Sequence, residues 1–258
     1  MRHLFVEPER FSEIDSTNRY LVDRARQGAP EGSVAIADVQ SAGRGRQGRT
    51  WIAEPGTSLL CSLLFRPQGS IDDLHLIPTL VALAALHAIE QIGGVTVSLK
   101  WPNDLLVGER KVAGMLSELT MVGGVAVVVG IGINLFWPEG FPPTEGDPEL
   151  VELADRATTL ERESGRRIDR PLLTEALLDA VEARYDLFTE QGYAEELRTD
   201  YRANCSTIGR PVRVEMQGET FEGEAVGVAP SGRLLVQSNG LLRELDAAEV
   251  VHIRTTGP

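Results

Sequence analysis

The segment from Leu74 to Ile92 is apolar nearly all round, and this limits the folds open to the chain more than any other feature. A helix of that kind has no face to give to water, so it must be enclosed by other elements. What remains to enclose it is mostly short apolar runs with strand character. Phe11 to Ile14, Ser33 to Ala37, Ser58 to Phe65, Val95 to Leu99, Asp104 to Val107, Val112 to Leu119 and Val125 to Leu135 fit strands. Helices are expected over Asn18 to Gln27, capped by Asp15 or Ser16 and stopped at Gly28, and over Pro171 to Thr189 and Tyr193 to Asn204. Phe136 to Pro148 carries four of the fourteen prolines and reads as a loop. The expectation is an α/β chain with a strand-rich core.

From Pro211 the texture changes. Arg213 to Met216, Thr220 to Val228, Leu234 to Gln237 and Leu241 to Leu245 are short β-like runs, with turn signals at Gln217-Gly218 and Ser231-Gly232. They predict a small separate barrel. The division expected is residues 1–205 and 206–258. At 258 residues and 42% hydrophobic content the chain can bury a core without disulfides or metals. Cys61 and Cys205 match no metal-ligand spacing; Cys61 lies in an apolar run and is expected to pack in the core. This usage fits a reducing compartment. The N-terminus has no apolar leader pattern, and the stretch from Thr79 to Ile92 is broken by His87, Glu90 and Gln91, so a cytoplasmic protein with no membrane partner is expected. His3, His75, His87 and His252 have no evident partners in sequence, and no Ser/His/Asp or Cys/His set stands out.

The net charge of −13 argues against general nucleic-acid binding. One window opposes that trend. Val39 to Ile52 holds three arginines and no acid, within Gln40-Ser-Ala-Gly43-Arg44-Gly45-Arg46-Gln47-Gly48-Arg49-Thr50-Trp51. Glycines let backbone N–H groups approach an anion, and arginines add forked donors suited to phosphate or carboxylate. The tract is neither a P-loop nor a dinucleotide fingerprint. On composition alone it is equally a solvated basic loop or an RGG-type RNA segment. A second cluster is Lys100-Trp101-Pro102-Asn103-Asp104 with Lys111-Val-Ala-Gly114; each charge taken singly is more often a surface group. The third is Gly130-Ile-Gly132-Ile-Asn134, where glycines in an apolar strand mark either a close approach or simple packing.

In order and spacing, Ser16-Thr17-Asn18, the glycine–arginine loop, Lys100 to Asp104, Lys111-x-x-Gly114 and Gly130-x-Gly132-x-Asn134 resemble the biotin–protein ligase family. The resemblance implies a mixed-sheet catalytic domain of the biotin/lipoate ligase type with a small C-terminal SH3-like β-barrel. It implies biotin and ATP as substrates, Mg²⁺ as cofactor, and a biotin carboxyl carrier domain as acceptor. Carried over by position, Ser16, Thr17, Asn18, Gln40, Gly43, Arg44 and Gly114 would contact biotin. Lys111 would lie against the biotin carboxylate and the activated phosphate. Arg46 and Arg49 would close on ATP or the adenylate and join Lys111 in catalysis. Trp51, Asn103, Asp104 and Asn134 would border the nucleotide, with Asp104 the candidate Mg²⁺ ligand. Gln47 departs from relatives with a third arginine in the loop, which bears on how tightly it grips. Bifunctional members carry an N-terminal DNA-binding domain. Ser16 comes too early for one, so the monofunctional type and no DNA partner are expected. A homodimer is a further expectation, with Val125 to Leu135 equally a dimer edge or a strand buried in the core. A lipoate or octanoate ligase, and a non-enzymatic small-acid sensor, are the competing readings.

Overall fold

A computed structural model describes residues 4–68, 70–143, 145, 147–189, 193–216, 218–246 and 249–252. His3 and Gln217 lie outside the described residues, as do parts of the proline-rich loop. Seven strands form the main sheet: β1 (Glu9–Ile14), β2 (Val34–Gln40), β3 (Ser58–Phe65), β4 (Ser98–Lys100), β5 (Asp104–Val107), β6 (Arg110–Thr120) and β7 (Ala126–Asn134). Their order is β1-β2-β3-β7-β6-β5-β4, parallel at β1–β2 and antiparallel elsewhere.

Side-chain alternation divides the sheet into two faces with different uses. On β3, Leu59, Cys61, Leu63 and Phe65 enter the main core, joined by Val127, Val129, Ile131 and Ile133 of β7. The long apolar helix α2 (Leu76–Gly93) covers this face with α5 (Arg170–Thr189) and α6 (Tyr193–Asn204). Burying each Leu, Ile or Val side chain there contributes roughly 1.5–3 kcal/mol. The segment Ile71–Gly93 is long and apolar enough to cross a membrane by length and composition, and 67% of its 18-residue apolar window is buried within the protein.

The opposite face carries the alternate residues. Leu64, Val128 and Ala126 pack under Leu21, Val22 and Ala25 of helix α1 (Thr17–Arg26). Ser16 caps α1 by accepting from the Arg19 N–H at 3.4 Å. Farther along the same strands the alternate positions are Leu60, Ser62, Gly130 and Gly132, and these line a cavity.

Several sequence expectations change. Helices α3 (Pro148–Arg156) and α4 (Leu160–Ser164) follow the proline loop and had not been expected. Strand β4 is three residues, Ser98–Lys100, shorter than the run from Val95. Strand β7 lies between β3 and β6, so the expectation that Val125 to Leu135 offers a dimer edge is wrong; both its edges are already hydrogen-bonded.

Beyond α6 come β8 (Pro211–Met216), β9 (Glu219–Val228), β10 (Leu234–Ser238), β11 (Leu241–Leu245) and β12 (Glu249–His252). They form an antiparallel sheet ordered β11-β10-β9-β8-β12, in which β11 and β12 do not pair with each other among the described residues. The Ser231-Gly232 turn is wider than a two-residue hairpin, because Ala229 N–H bonds Arg233 O at 2.9 Å. Its core side chains Val212, Val214, Leu234 and Val236 belong to the same continuous cluster as α2. Trp101 adds to the join: its indole Nε1–H donates to Gly232 O at 3.0 Å, and its N–H donates to Thr207 Oγ1 at 3.0 Å.

Candidate functional site

The cavity on the open face collects most of the residues singled out from sequence. Ser16, Thr17, Asn18, Gln40, Arg44, Arg46, Arg49, Trp51, Asn103, Asp104, Lys111 and Gly114 all line it. One end is a polar network made by the start of α1 and strands β2 and β3. The Gln40 Oε1 accepts from Thr17 N–H at 2.8 Å and from Thr17 Oγ1 at 3.0 Å. Thr17 Oγ1 also bonds Ser62 Oγ at 2.8 Å, and Ser62 donates to Asn18 Oδ1 at 2.8 Å. Asn18 Nδ2 reaches Leu116 O and Glu118 Oε2, each at 3.0 Å. These donors and acceptors sit on a helix start and two paired strands, so their positions are fixed before any ligand arrives.

The other end carries charge. Lys111 Nζ lies 2.6 Å from Asp104 Oδ1 and 5.4 Å from the centre of the Trp51 ring. Both ion-pair partners retain some exposure, at 33% and 23%, so their charges remain available to a ligand. Arg44 pairs with Glu118 at 3.0 Å. Burial lowers the proton affinity of the Arg46 guanidinium, against the pull of Asp104, Asp246 and Tyr201.

The glycines prove to be contact points. A Cβ on Gly132 would come within 2.5 Å of the Trp51 ring, and one on Gly114 within 2.7 Å of the Lys111 ammonium and 3.1 Å of the same ring. A Cβ on Gly130 would overlap the Asn18 carboxamide. The bare backbone of β6 and β7 is therefore the bed on which Trp51 and Asn18 lie. Trp51 Nε1 is buried with no hydrogen-bond partner among the described residues, a state that costs about 1–3 kcal/mol and leaves a donor for a ligand. The loop from Ser41 to Thr50 is held at its ends by the Arg44–Thr50 bridge, with a 3₁₀ turn at Arg46–Gly48 and Gln47 at φ 56°.

Two expected residues stand elsewhere. Gly43 is buried behind the loop and does not line the cavity; a Cβ there would meet Trp51 O at 2.6 Å. Asn134 donates to Thr158 O at 3.0 Å and lines an adjoining cavity with Trp137, Leu153 and Arg156. That second cavity meets the first at Arg49, Thr50, Trp51 and Lys111. The Asn103 amide donates to Met115 O at 2.6 Å, and Asn103 O accepts from Met115 N–H, so it ties the site's rim to β6.

Sequence reasoning missed Ser62 and Glu118, which complete the polar end. Ser62 sits in an apolar strand, and the signal was its parity: it shares a face with Gly130 and Gly132 rather than with the core residues Cys61 and Leu63. Two of the histidines also have partners. His75 bonds Asp72 O at 2.7 Å and Pro230 O at 2.9 Å, His252 bonds Thr207 Oγ1 at 3.0 Å, and His87 is exposed on its buried helix. Cys61 is buried as expected, and burial pushes its thiol pKa up to about 12, so it is not a nucleophile.

Comparison with known proteins agrees with this geometry. Residues 11–134 match the model of the biotin/lipoate A/B protein ligase family, and residues 207–253 match the biotin protein ligase C terminal domain. The chain is 34% identical over 249 residues to the biotin–[acetyl-CoA-carboxylase] ligase of Mycobacterium tuberculosis, covering 94% of this chain and 88% of that protein. It is 30% identical over 243 residues to the enzyme of that name from Paracoccus denitrificans, with 92% and 96% covered. The solved structure of the Aquifex aeolicus biotin protein ligase in complex with biotin and ATP superimposes with a TM-score of 0.78 at 28% identity, covering 97% of this chain and all of that one. The chain belongs to the biotin protein ligase family.

Proposed function

We propose that this chain forms biotinyl-5′-AMP from biotin and ATP and then transfers biotin to a lysine of a biotin carboxyl carrier domain. The observation that carries the reading is the meeting of two cavities at Lys111 and Trp51. The first has a polar end at Ser16, Thr17, Asn18 and Gln40 suited to a ureido ring, and a cation at its far end suited to a carboxylate. The second extends past Asn134 and suits a nucleotide.

In the first step a carboxylate oxygen of biotin attacks the α-phosphorus of ATP. The bond to pyrophosphate breaks and a mixed anhydride forms. Lys111, Arg46 and Arg49 offset the negative charge gathered there, and the walls hold the two reactants together. In the second step the neutral amine of the acceptor attacks the acyl carbon, AMP leaves with the bonding electrons, and the amine loses a proton. No enzyme nucleophile is needed. The Mg²⁺ is read as part of the nucleotide substrate. Such ions keep one or two carboxylates, phosphate oxygens and waters, and Asp104 would supply one such carboxylate. Among the described residues no group of three His, Cys, Asp or Glu forms a resident metal site.

The division into a catalytic body of residues 1–205 and a C-terminal unit of 206–258, and a location in the cytoplasm, belong to the same reading. The test is pyrophosphate release with biotin or lipoate. Release with biotin and none with lipoate is the expected result; release with lipoate alone would favour the sister activity, and no release with either would favour a sensor.

A further inference from the structure

Lys111 sits where the regular sheet gives out. Strand β6 pairs with β7 from Ala113 to Thr120, so among the described residues Lys111 has no partner on that strand. On the other side the β5 register shifts between Leu105 and Leu106, which face Ala113 and Lys111 and leave Val112 unmatched. A break of this kind re-aims a side chain and interrupts the ladder that holds it.

The segment after α3 fills the gap. Ala157 forms a parallel bridge with Lys111, and Thr158 N–H donates to Lys111 O at 2.8 Å. Asn134, at the end of β7, donates to Thr158 O at 3.0 Å. Thr158 is fully buried, and its hydroxyl donates to Glu163 Oε1 at 2.5 Å. The same oxygen accepts from Arg110 Nη2 at 2.6 Å, and Arg110 precedes Lys111 in the chain. Arg110, Lys111, Thr158 and Glu163 thus close a ring, and every polar group of Thr158 is engaged. Both bonds to Glu163 are charge-assisted, which makes them short and directional. Immediately before this strap, α3 puts Glu152, Leu153 and Arg156 into the cavity that adjoins the first.

We propose that Thr158, Glu163 and Arg110 are positioning residues for adenylate formation: their ring fixes the Lys111 ammonium relative to the α3 wall against which the nucleotide rests. The inference rests on the function proposed above. A cation speeds the attack on phosphorus only if it stands where the charge develops, and the nucleotide must be held in register with it. With β7 absent beside Lys111 and β5 out of register, the strap is the element that sets this distance. The polar end of the first cavity, at Ser16, Thr17, Asn18 and Gln40, shares no hydrogen bond with the ring.

The test uses the full chain with two substitutions at Thr158. Thr158→Val keeps the packing and loses the hydroxyl; Thr158→Ser keeps the hydroxyl and loses the methyl. In Thr158→Val, kcat/KM for ATP in biotin-dependent pyrophosphate release should fall about tenfold to a hundredfold, as for a small misplacement of reacting groups. The Kd for biotin without ATP should stay within about twofold of wild type, and Thr158→Ser should restore kcat/KM for ATP to within about twofold of wild type, because the ring depends on the hydroxyl. Arg110→Gln, at the more exposed corner of the ring, should reproduce the loss in a folded protein. Wild-type kinetics in Thr158→Val would overturn the proposal. So would equal losses for biotin and ATP, or a Thr158→Ser variant worse than Thr158→Val, since these are the marks of simple packing. If wild type itself releases no pyrophosphate with biotin, the function proposed above is wrong. Titration with Mg²⁺ and ATP alone then decides the ring: weaker binding by Thr158→Val with recovery in Thr158→Ser supports it, and equal binding or none overturns it.

Discussion

Lys111 Nζ and Asp104 Oδ1 face each other at 2.6 Å across the β5–β6 hairpin, where the first cavity meets the nucleotide side. The pair holds a cation where the two cavities meet, the place proposed for the negative charge of adenylate formation. It also restrains that cation from swinging out to solvent.

Lys111→Ala should therefore slow biotin-dependent pyrophosphate release by about 10²–10³-fold, the effect of losing one preorganised charge partner. Loss of a partly exposed ion pair costs only ~0–1 kcal/mol of stability, so the melting temperature should move little. A folded variant that releases pyrophosphate at the wild-type rate would remove Lys111 from the mechanism.

Gly132→Ala places a methyl 2.5 Å from the Trp51 ring on a strand that cannot retreat, since β3 and β6 hold it on both sides. The ring must shift, at a cost of about 1–3 kcal/mol. Because Trp51 borders both cavities, KM for ATP should rise about tenfold or more, by the same energy. Steady-state kinetics with circular dichroism as a folding control reads this out; an unchanged KM for ATP would show that Trp51 does not frame the nucleotide.

Arg46→Gly tests the loop as a lid. The variant removes a charge facing Asp104 and adds backbone freedom beside Gly45. Adenylation should persist in part, but preformed biotinyl-AMP should dissociate faster and label bystander proteins. Stopped-flow release of the adenylate is the measurement, and equal rates for the two proteins would exclude a lid role for Arg46.

The fold was legible where one pattern dominated. The all-round apolar helix, the β3 and β7 runs and α6 follow from burial alone, and the glycine–arginine loop pointed to the side of the cavity it lines. The short helices α3 and α4 were hidden behind the prolines that precede them. Asn239 and Gly240, at φ 49° and 79°, close the β10–β11 hairpin with a turn signal the sequence carried openly but the reading passed over. Ser62 and Glu118 become site residues only once β3 pairs with β7, setting Ser62 opposite Gly130, and helix α1 brings the Asn18 amide to Glu118 at 3.0 Å. Asn134, expected from the motif to border the nucleotide, donates its amide to Thr158 O and forms part of the wall of the adjoining cavity.

His252 gives the stability a pH dependence. Burial, with Lys100 and Arg210 adding to it, lowers its pKa from 6.5 to about 4, and its side chain is 6% exposed. The folded state thus favours the neutral ring. Stability from this group is full above pH ~6.5, where the unfolded chain is also neutral, and is lost as pH falls toward 4, by up to ~3 kcal/mol. His252→Gln should lose less of its melting temperature between pH 7 and pH 5 than wild type. An equal loss in both would assign the acid sensitivity to other groups.

The central claim is that one chain both activates biotin and passes it to a carrier lysine. Intact-mass measurement of a carrier domain incubated with the protein, biotin and ATP tests both halves at once. The account predicts the addition of one biotinyl group, dependent on ATP, absent with lipoate, and abolished when the acceptor lysine is changed to arginine. A carrier that stays unmodified while the protein is folded and both substrates are present would contradict it.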